Sequence, residues 1–221
     1  MLSKKVGEAM LENHQIELLK TLSNLVGVSG HEEQILQFVS EQLPFCTKEQ
    51  DKLGSGLFSL GEGDLSIMFA THMDEVGFVV SSINERGYVS IQPVGNMWAH
   101  TLLQQLVTIT TSDGRQWTGI IGGPQTHAIS PEARKKVVAM EELFIDLGVD
   151  SRESIQEMGI EVGDVVSLVS TCQTIGLNQE YMIGKALDNR VSVALGIWLM
   201  QALEHQHISK RVTLATTIQE E

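Results

Sequence analysis

His72, Asp74, Asp188, Glu220 and Glu221 are the residues of this sequence whose types and neighbours suit metal-assisted hydrolysis. His72 and Asp74 stand two apart in Thr71-His-Met-Asp74. In that relation a carboxylate orients an imidazole ring whose other nitrogen binds a cation. Asp188 offers two oxygens, enough to bridge a pair of cations that otherwise repel each other. Glu220 and Glu221 are adjacent, so at a strand end they point in different directions. One then binds metal while the other faces the reacting water, accepts its proton and passes it to a leaving amine. Taken singly, each residue also has an ordinary use: a structural histidine, a helix cap, a solvated acidic pair. The hydrolytic reading depends on their convergence.

Convergence requires elements that deliver these side chains to one edge. Leu65–Thr71 is a short apolar run after the turn Gly61-Glu-Gly-Asp64, which predicts a buried strand releasing His72 at its carboxyl end. Arg211–Ile218 reads as a second strand that releases Glu220 and Glu221. Open α/β sheets bind ligands at that edge. Asp188 can cap a helix from Asn189 to about Glu204, whose Val191, Ala194, Leu195, Trp198, Leu199 and Ala202 share one face.

Upstream, Ile16, Leu18, Leu19, Leu22, Leu25 and Val26 recur at helical spacing before Gly27. A second helix is predicted before Pro44, with Ser29 and Glu32 at capping-box spacing. Between Val76 and about Asn178 the pattern turns to short β-like runs, including Gly77–Val80, Tyr88–Ile91, Leu106–Thr111, Trp117–Ile121 and Gly163–Val169. Helical character interrupts them at Ser151–Met158. The predicted class is α/β, with a catalytic domain over 1–75 and 179–221 and an inserted β-rich, barrel-like domain over 76–178.

Composition narrows the partners. Fifteen basic against 28 acidic residues give a net charge of −13, which repels nucleic-acid phosphates and anionic lipid surfaces. No nucleic acid or membrane is expected. The longest apolar stretch, Val191–Met200, is about half of the ~20 residues a membrane span needs. No N-terminal export signal is read, and Cys46 and Cys172 lack metal-type spacing, so a reducing cytoplasm is predicted.

Other polar groups carry less. His205 and His207 are two apart beyond a helix, the wrong spacing for one helical face. Gly184-Lys185 lacks the remainder of a P-loop, and Gly27–His31 is not a nucleophile elbow. His127 is predicted to fall in a surface loop of the β insertion.

Three stretches, Phe69-Ala-Thr-His-Met-Asp-Glu-Val-Gly-Phe78, Ile183-Gly-Lys-Ala-Leu-Asp-Asn-Arg190 and Thr216-Thr-Ile-Gln-Glu-Glu221, resemble in order and spacing the signatures of the tetrahedral dinuclear-metal aminopeptidases. That group includes the glutamyl and Frv-type aminopeptidases. Val28–Glu33, Pro93–Gly95, Gly119–Gly122 and Leu143–Gly148 extend the resemblance along the chain. It implies two divalent ions, zinc or cobalt, with manganese also accepted by such ligands. His72 and Glu221 would be ligands of different metals, Asp188 the bridge, Glu220 the general base and Asp74 the support of His72. It further implies a peptide substrate cleaved at its free amino end, and a β domain serving assembly into dimers and a hollow dodecamer. Family members continue past the position of Glu221 and supply a further Asp and His ligand. Within these 221 residues the resemblance therefore implies a C-terminally truncated version with an incomplete centre and impaired turnover. A non-catalytic fragment keeping only the assembly domain, and a carbohydrate hydrolase using paired carboxylates, are the alternatives.

Overall fold

The computed structural model describes residues 11–124, 130–132 and 135–221. His127 lies outside the described residues. The chain opens with α1 (Asn13–Asn24) and α2 (Glu33–Gln42), then a hairpin of β1 (Thr47–Gln50) and β2 (Gly56–Leu60). β3 (Ser66–His72) leads through a tight corner into β4 (Gly77–Ile83). β5 (Val89–Val94), β6 (Leu106–Thr110), β7 (Gln116–Gly122), β8 (Phe144–Asp146), α3 (Arg152–Glu157) and β9 (Val165–Leu168) follow. β10 (Gln173–Ile175) and β11 (Tyr181–Ile183) form a second hairpin before α4 (Leu187–Leu203) and β12 (Arg211–Thr217).

Two bodies of sheet result. β4-β5-β8-β7-β6-β9 closes into an antiparallel barrel, around a core that includes Phe78, Val89, Val107, Ile109, Ile145 and Val166. The other sheet has the order β1-β2-β12-β3 and packs its core against α1, α2 and α4 through Leu22, Ile35, Val39, Phe58, Val193, Ile197 and Leu214. The fold is thus mixed α/β with a closed six-stranded barrel; the periodicity predicts the α/β class and the β-rich run, and the closure is seen in the strand pairing. Among the described residues no helix is long and apolar enough to cross a membrane.

The pairing of β12 with β3 positions the site. These two strands are parallel and in register from Arg211 opposite Ser66 to Thr217 opposite His72. Met73 N–H then donates to the Thr217 carbonyl at 2.9 Å, carrying the ladder one step further. Parallel neighbours end at the same edge, so His72 and the residues after Thr217 emerge side by side.

Three local expectations are corrected. β3 is a strand, but Leu65, Ile67, Met68 and Phe69 are exposed rather than buried, because β3 is the outermost strand of its sheet. Ser29 forms no capping box: its N–H donates to the Glu75 carbonyl, and the Glu32 carboxylate is engaged elsewhere. Asp188 does not cap α4 through its side chain; it and Asn189 lie inside the span with non-helical dihedrals, φ −85°, ψ 110° and φ −120°, ψ 35°, across a cis peptide.

Candidate metal centre

His72 terminates β3 with its side chain largely covered, and both ring nitrogens face carboxylates. Nε2 lies 3.2 Å from Asp188 Oδ1 and 3.9 Å from Glu220 Oε2, while Nδ1 lies 3.3 Å from Asp74 Oδ1. One ligand atom each from His72, Glu220 and Glu221 fall within 4.8 Å of one another. Residues from β3, the start of α4 and the segment after β12 therefore meet at one point.

Asp74 is fully buried and serves two neighbours. Its Oδ2 accepts the N–H groups of Glu220 at 3.0 Å and Glu221 at 2.9 Å. Its Oδ1 faces His72 Nδ1 at an angle that makes no hydrogen bond, and neither atom has another hydrogen-bond partner.

This arrangement is electrostatically unbalanced. A neutral imidazole carries one ring proton. With the proton on Nδ1, the Nε2 lone pair confronts Asp188 Oδ1; with it on Nε2, the Nδ1 lone pair confronts Asp74 Oδ1. Two acceptors at such distances repel unless a proton or a metal cation lies between them. Carboxylate crowding has a second signature at Glu221, whose pKa is raised by burial and then by Glu220, Asp74 and Asp188, with His72 opposing. The donor set, one imidazole nitrogen and several carboxylate oxygens, is of the kind that holds a divalent transition metal or zinc.

Beneath the site lies a charged layer that sequence reasoning passes over. Arg190 is completely buried and donates to the carbonyls of Met73 at 2.7 Å and Leu22 at 2.5 Å. Lys185 donates to the Leu25 carbonyl at 2.7 Å and to Glu75 Oε1 at 2.5 Å. Glu75 Oε1 also accepts Gly27 N–H at 3.1 Å and lies 3.7 Å from the Arg190 guanidinium. Burial lowers the pKa of both cations, and Glu75 acts against that shift. Gly27 is required at this crossing, since a Cβ there would stand 2.7 Å from Arg190 Nη2 and from Ile35 Cγ1. The signal was present in the sequence: Arg190 is the single basic residue in Leu187–Leu203, an otherwise largely apolar helix.

The M42 glutamyl aminopeptidase family matches residues 54–221. The chain belongs to that family. FrvX of Escherichia coli (strain K12) is 33% identical over 196 residues, 88% of this chain and 54% of that protein. The crystal structure of a TET aminopeptidase from the marine sediment archaeon Thaumarchaeota archaeon SCGC AB-539-E09 superposes with a TM-score of 0.89 at 35% identity, covering 95% of this chain and 60% of that one. TET1 peptidase of Pyrococcus horikoshii, which can assemble into a tetrahedron or a large octahedral shell, gives a TM-score of 0.84 at 30% identity, covering 93% of this chain and 61% of that one. The chain thus spans little more than half the length of the curated relatives it matches, 54% to 60% of the first three.

Proposed function

We propose that this M42-family chain carries the metal-binding edge of a metal-dependent aminopeptidase. The observation supporting this most strongly is the convergence of His72, Asp188, Glu220 and Glu221, drawn from three separated segments, on one patch at the carboxyl ends of β3 and β12. His72 Nε2, Asp188 and Glu221 would hold a pair of divalent cations, zinc or cobalt, with Asp188 shared between them. Cations bound there supply Lewis acidity and a water acidic enough to lose its proton near neutral pH.

The remaining chemistry belongs to the side chains. With a cation on Nε2, His72 would carry its ring proton on Nδ1, toward Asp74 Oδ1 3.3 Å away. Asp74 Oδ2, by holding the amides of Glu220 and Glu221, fixes both carboxylates relative to that ring. Glu220, 61% exposed, can receive a proton from the attacking water and return it to the departing amine. Asp188 and Glu220 keep one side of the patch open to solvent, the side from which the amino end of a peptide would approach.

Residues 1–75 and 179–221 are the proposed catalytic domain and 76–178 the proposed assembly domain. Trp98, Leu106, Ile120 and Val169 are exposed apolar residues of the barrel region, which supports self-association through it. A homo-oligomer is expected, by analogy with the P. horikoshii shells.

The test is hydrolysis of aminoacyl-p-nitroanilides by the purified 221-residue chain with cobalt or zinc, alongside calorimetric titration of the same ions. Saturable binding abolished by chelator, together with turnover that disappears in Glu220→Gln, supports the reading. Binding without turnover confines the chain to a metal-binding fragment. Absence of binding refutes it, and turnover that survives chelation points instead to metal-free hydrolysis.

A further inference from the structure

The segment Gln219–Glu221 has no regular secondary structure, yet each of its three amides donates to a buried carboxylate. Two go to Asp74. The third, Gln219 N–H, donates to Glu32 Oε1 at 3.1 Å, across a sequence separation of 187 residues. Gln219 has φ +56°, a left-handed conformation unusual for a side-chain-bearing residue. Extended backbone sends successive amides to alternate sides, whereas a left-handed residue turns neighbouring amides toward a common concavity. The chain leaving β12 is thereby redirected so that Glu220 and Glu221 can share Asp74.

Glu32 is itself firmly held. It is 4% exposed, its Oε1 also accepts Gly30 N–H at 2.8 Å, and its carbonyl accepts Ile35 and Leu36 N–H at 3.0 Å each at the start of α2. Ile35, Leu36 and Val39 bury that helix in the core. Glu32 therefore transmits the position of a rigid helix to the backbone beside the metal patch.

We propose that Glu32 is a positioning residue of the metal centre: it acts through the Gln219 amide to set the direction in which Glu220 and Glu221 leave β12. This rests on the metal-site reading only where zinc affinity is measured; its backbone consequence stands without metal. A charge-assisted hydrogen bond is stronger than a neutral one, so an amide in place of the carboxylate should hold Gln219 less well.

The experiment compares the whole chain with Glu32→Ala and Glu32→Gln. Zinc affinity is read by competition with a chromophoric chelator, and hydrogen–deuterium exchange of the Gln219–Glu221 amides is followed without metal. Glu32→Ala should weaken zinc binding by about 10–100-fold and speed exchange across all three amides. Glu32→Gln should fall between, about fivefold in affinity, through partial rescue by its carbonyl. A melting temperature lowered in both variants, with zinc affinity and exchange at 219–221 unchanged, would show a purely structural role and overturn the proposal. If wild type binds no zinc, the metal reading fails, and the exchange arm alone decides the role of Glu32. Should Glu32→Ala not fold, Glu32→Gln decides: wild-type behaviour in both measurements counts against the proposal.

Discussion

The barrel and the four-stranded sheet solve the problem of strand edges in opposite ways. Each of the six barrel strands is paired on both sides, and the barrel's buried interior is apolar. The sheet leaves β3 at its margin, with Met68 and Phe69 exposed, and gathers acidic groups where β3 and β12 end. Closure gives the barrel a self-sufficient core. The sheet adds to its apolar core a buried ionic layer, Arg190 with Glu75 and Lys185, which holds the segments 22–27, 73–75 and 185–190 against one another. Packing serves both regions, and the sheet adds compensated charge beneath the acidic edge.

The largest effect should come from breaking that ionic layer. Arg190→Met removes the guanidinium beside Glu75 and the donor to the Met73 and Leu22 carbonyls, and should cost about 3–5 kcal/mol in urea unfolding. It should also abolish zinc binding, since Met73 and the start of α4 lose their common anchor. Ile145→Ala, at a fully buried barrel position, should cost about 2–5 kcal/mol through its cavity. Zinc affinity in the folded fraction should not change. Equal losses of affinity in the two variants would erase the distinction between the regions.

His72→Ala reverses the pattern. Metal-free stability should shift by no more than about 1 kcal/mol, because removing the ring relieves the lone-pair conflict with Asp74 or Asp188 as well as losing contacts. Zinc affinity should fall by more than about a hundredfold, beyond what losing an outer partner costs. Parallel calorimetry and denaturation check both halves of this statement.

Much of the site was legible because its residues lie at ends of elements. The apolar run before His72 and the alternation before Glu220 identify strands, and strand ends are where α/β sheets bind ligands. Parallel registration of β12 with β3 was not legible, because pairing over about 150 residues leaves no local pattern. Glu32 was misassigned for a related reason. Its three-residue spacing from Ser29 suits a capping box, whereas its carboxylate is used by Gln219 from the opposite end of the chain. The β1–β2 hairpin escaped because Thr47–Gln50 is wholly polar and exposed, an edge strand without apolar alternation.

The smallest effect is a pH dependence at Cys46, just before β1, the margin of the sheet opposite β3. Burial, with Glu204 adding to it, raises the Cys46 thiol from 9.0 to about 11. The folded state then keeps the proton that the unfolded state releases, so this contribution is complete below pH 9 and is lost as pH rises from 9 toward about 11. Cys46→Ser should flatten the decline in unfolding free energy across that window. An unchanged slope would assign the decline to other groups.

The central claim is that one imidazole and the carboxylates around it share a divalent cation. Anomalous diffraction at the zinc edge, on crystals grown with zinc, tests it most directly. The account predicts a peak about 2.0–2.2 Å from His72 Nε2 and from carboxylate oxygens of Asp188 or Glu221. Zinc found only at other surface carboxylates, with His72 left uncoordinated beside Asp188, would contradict it.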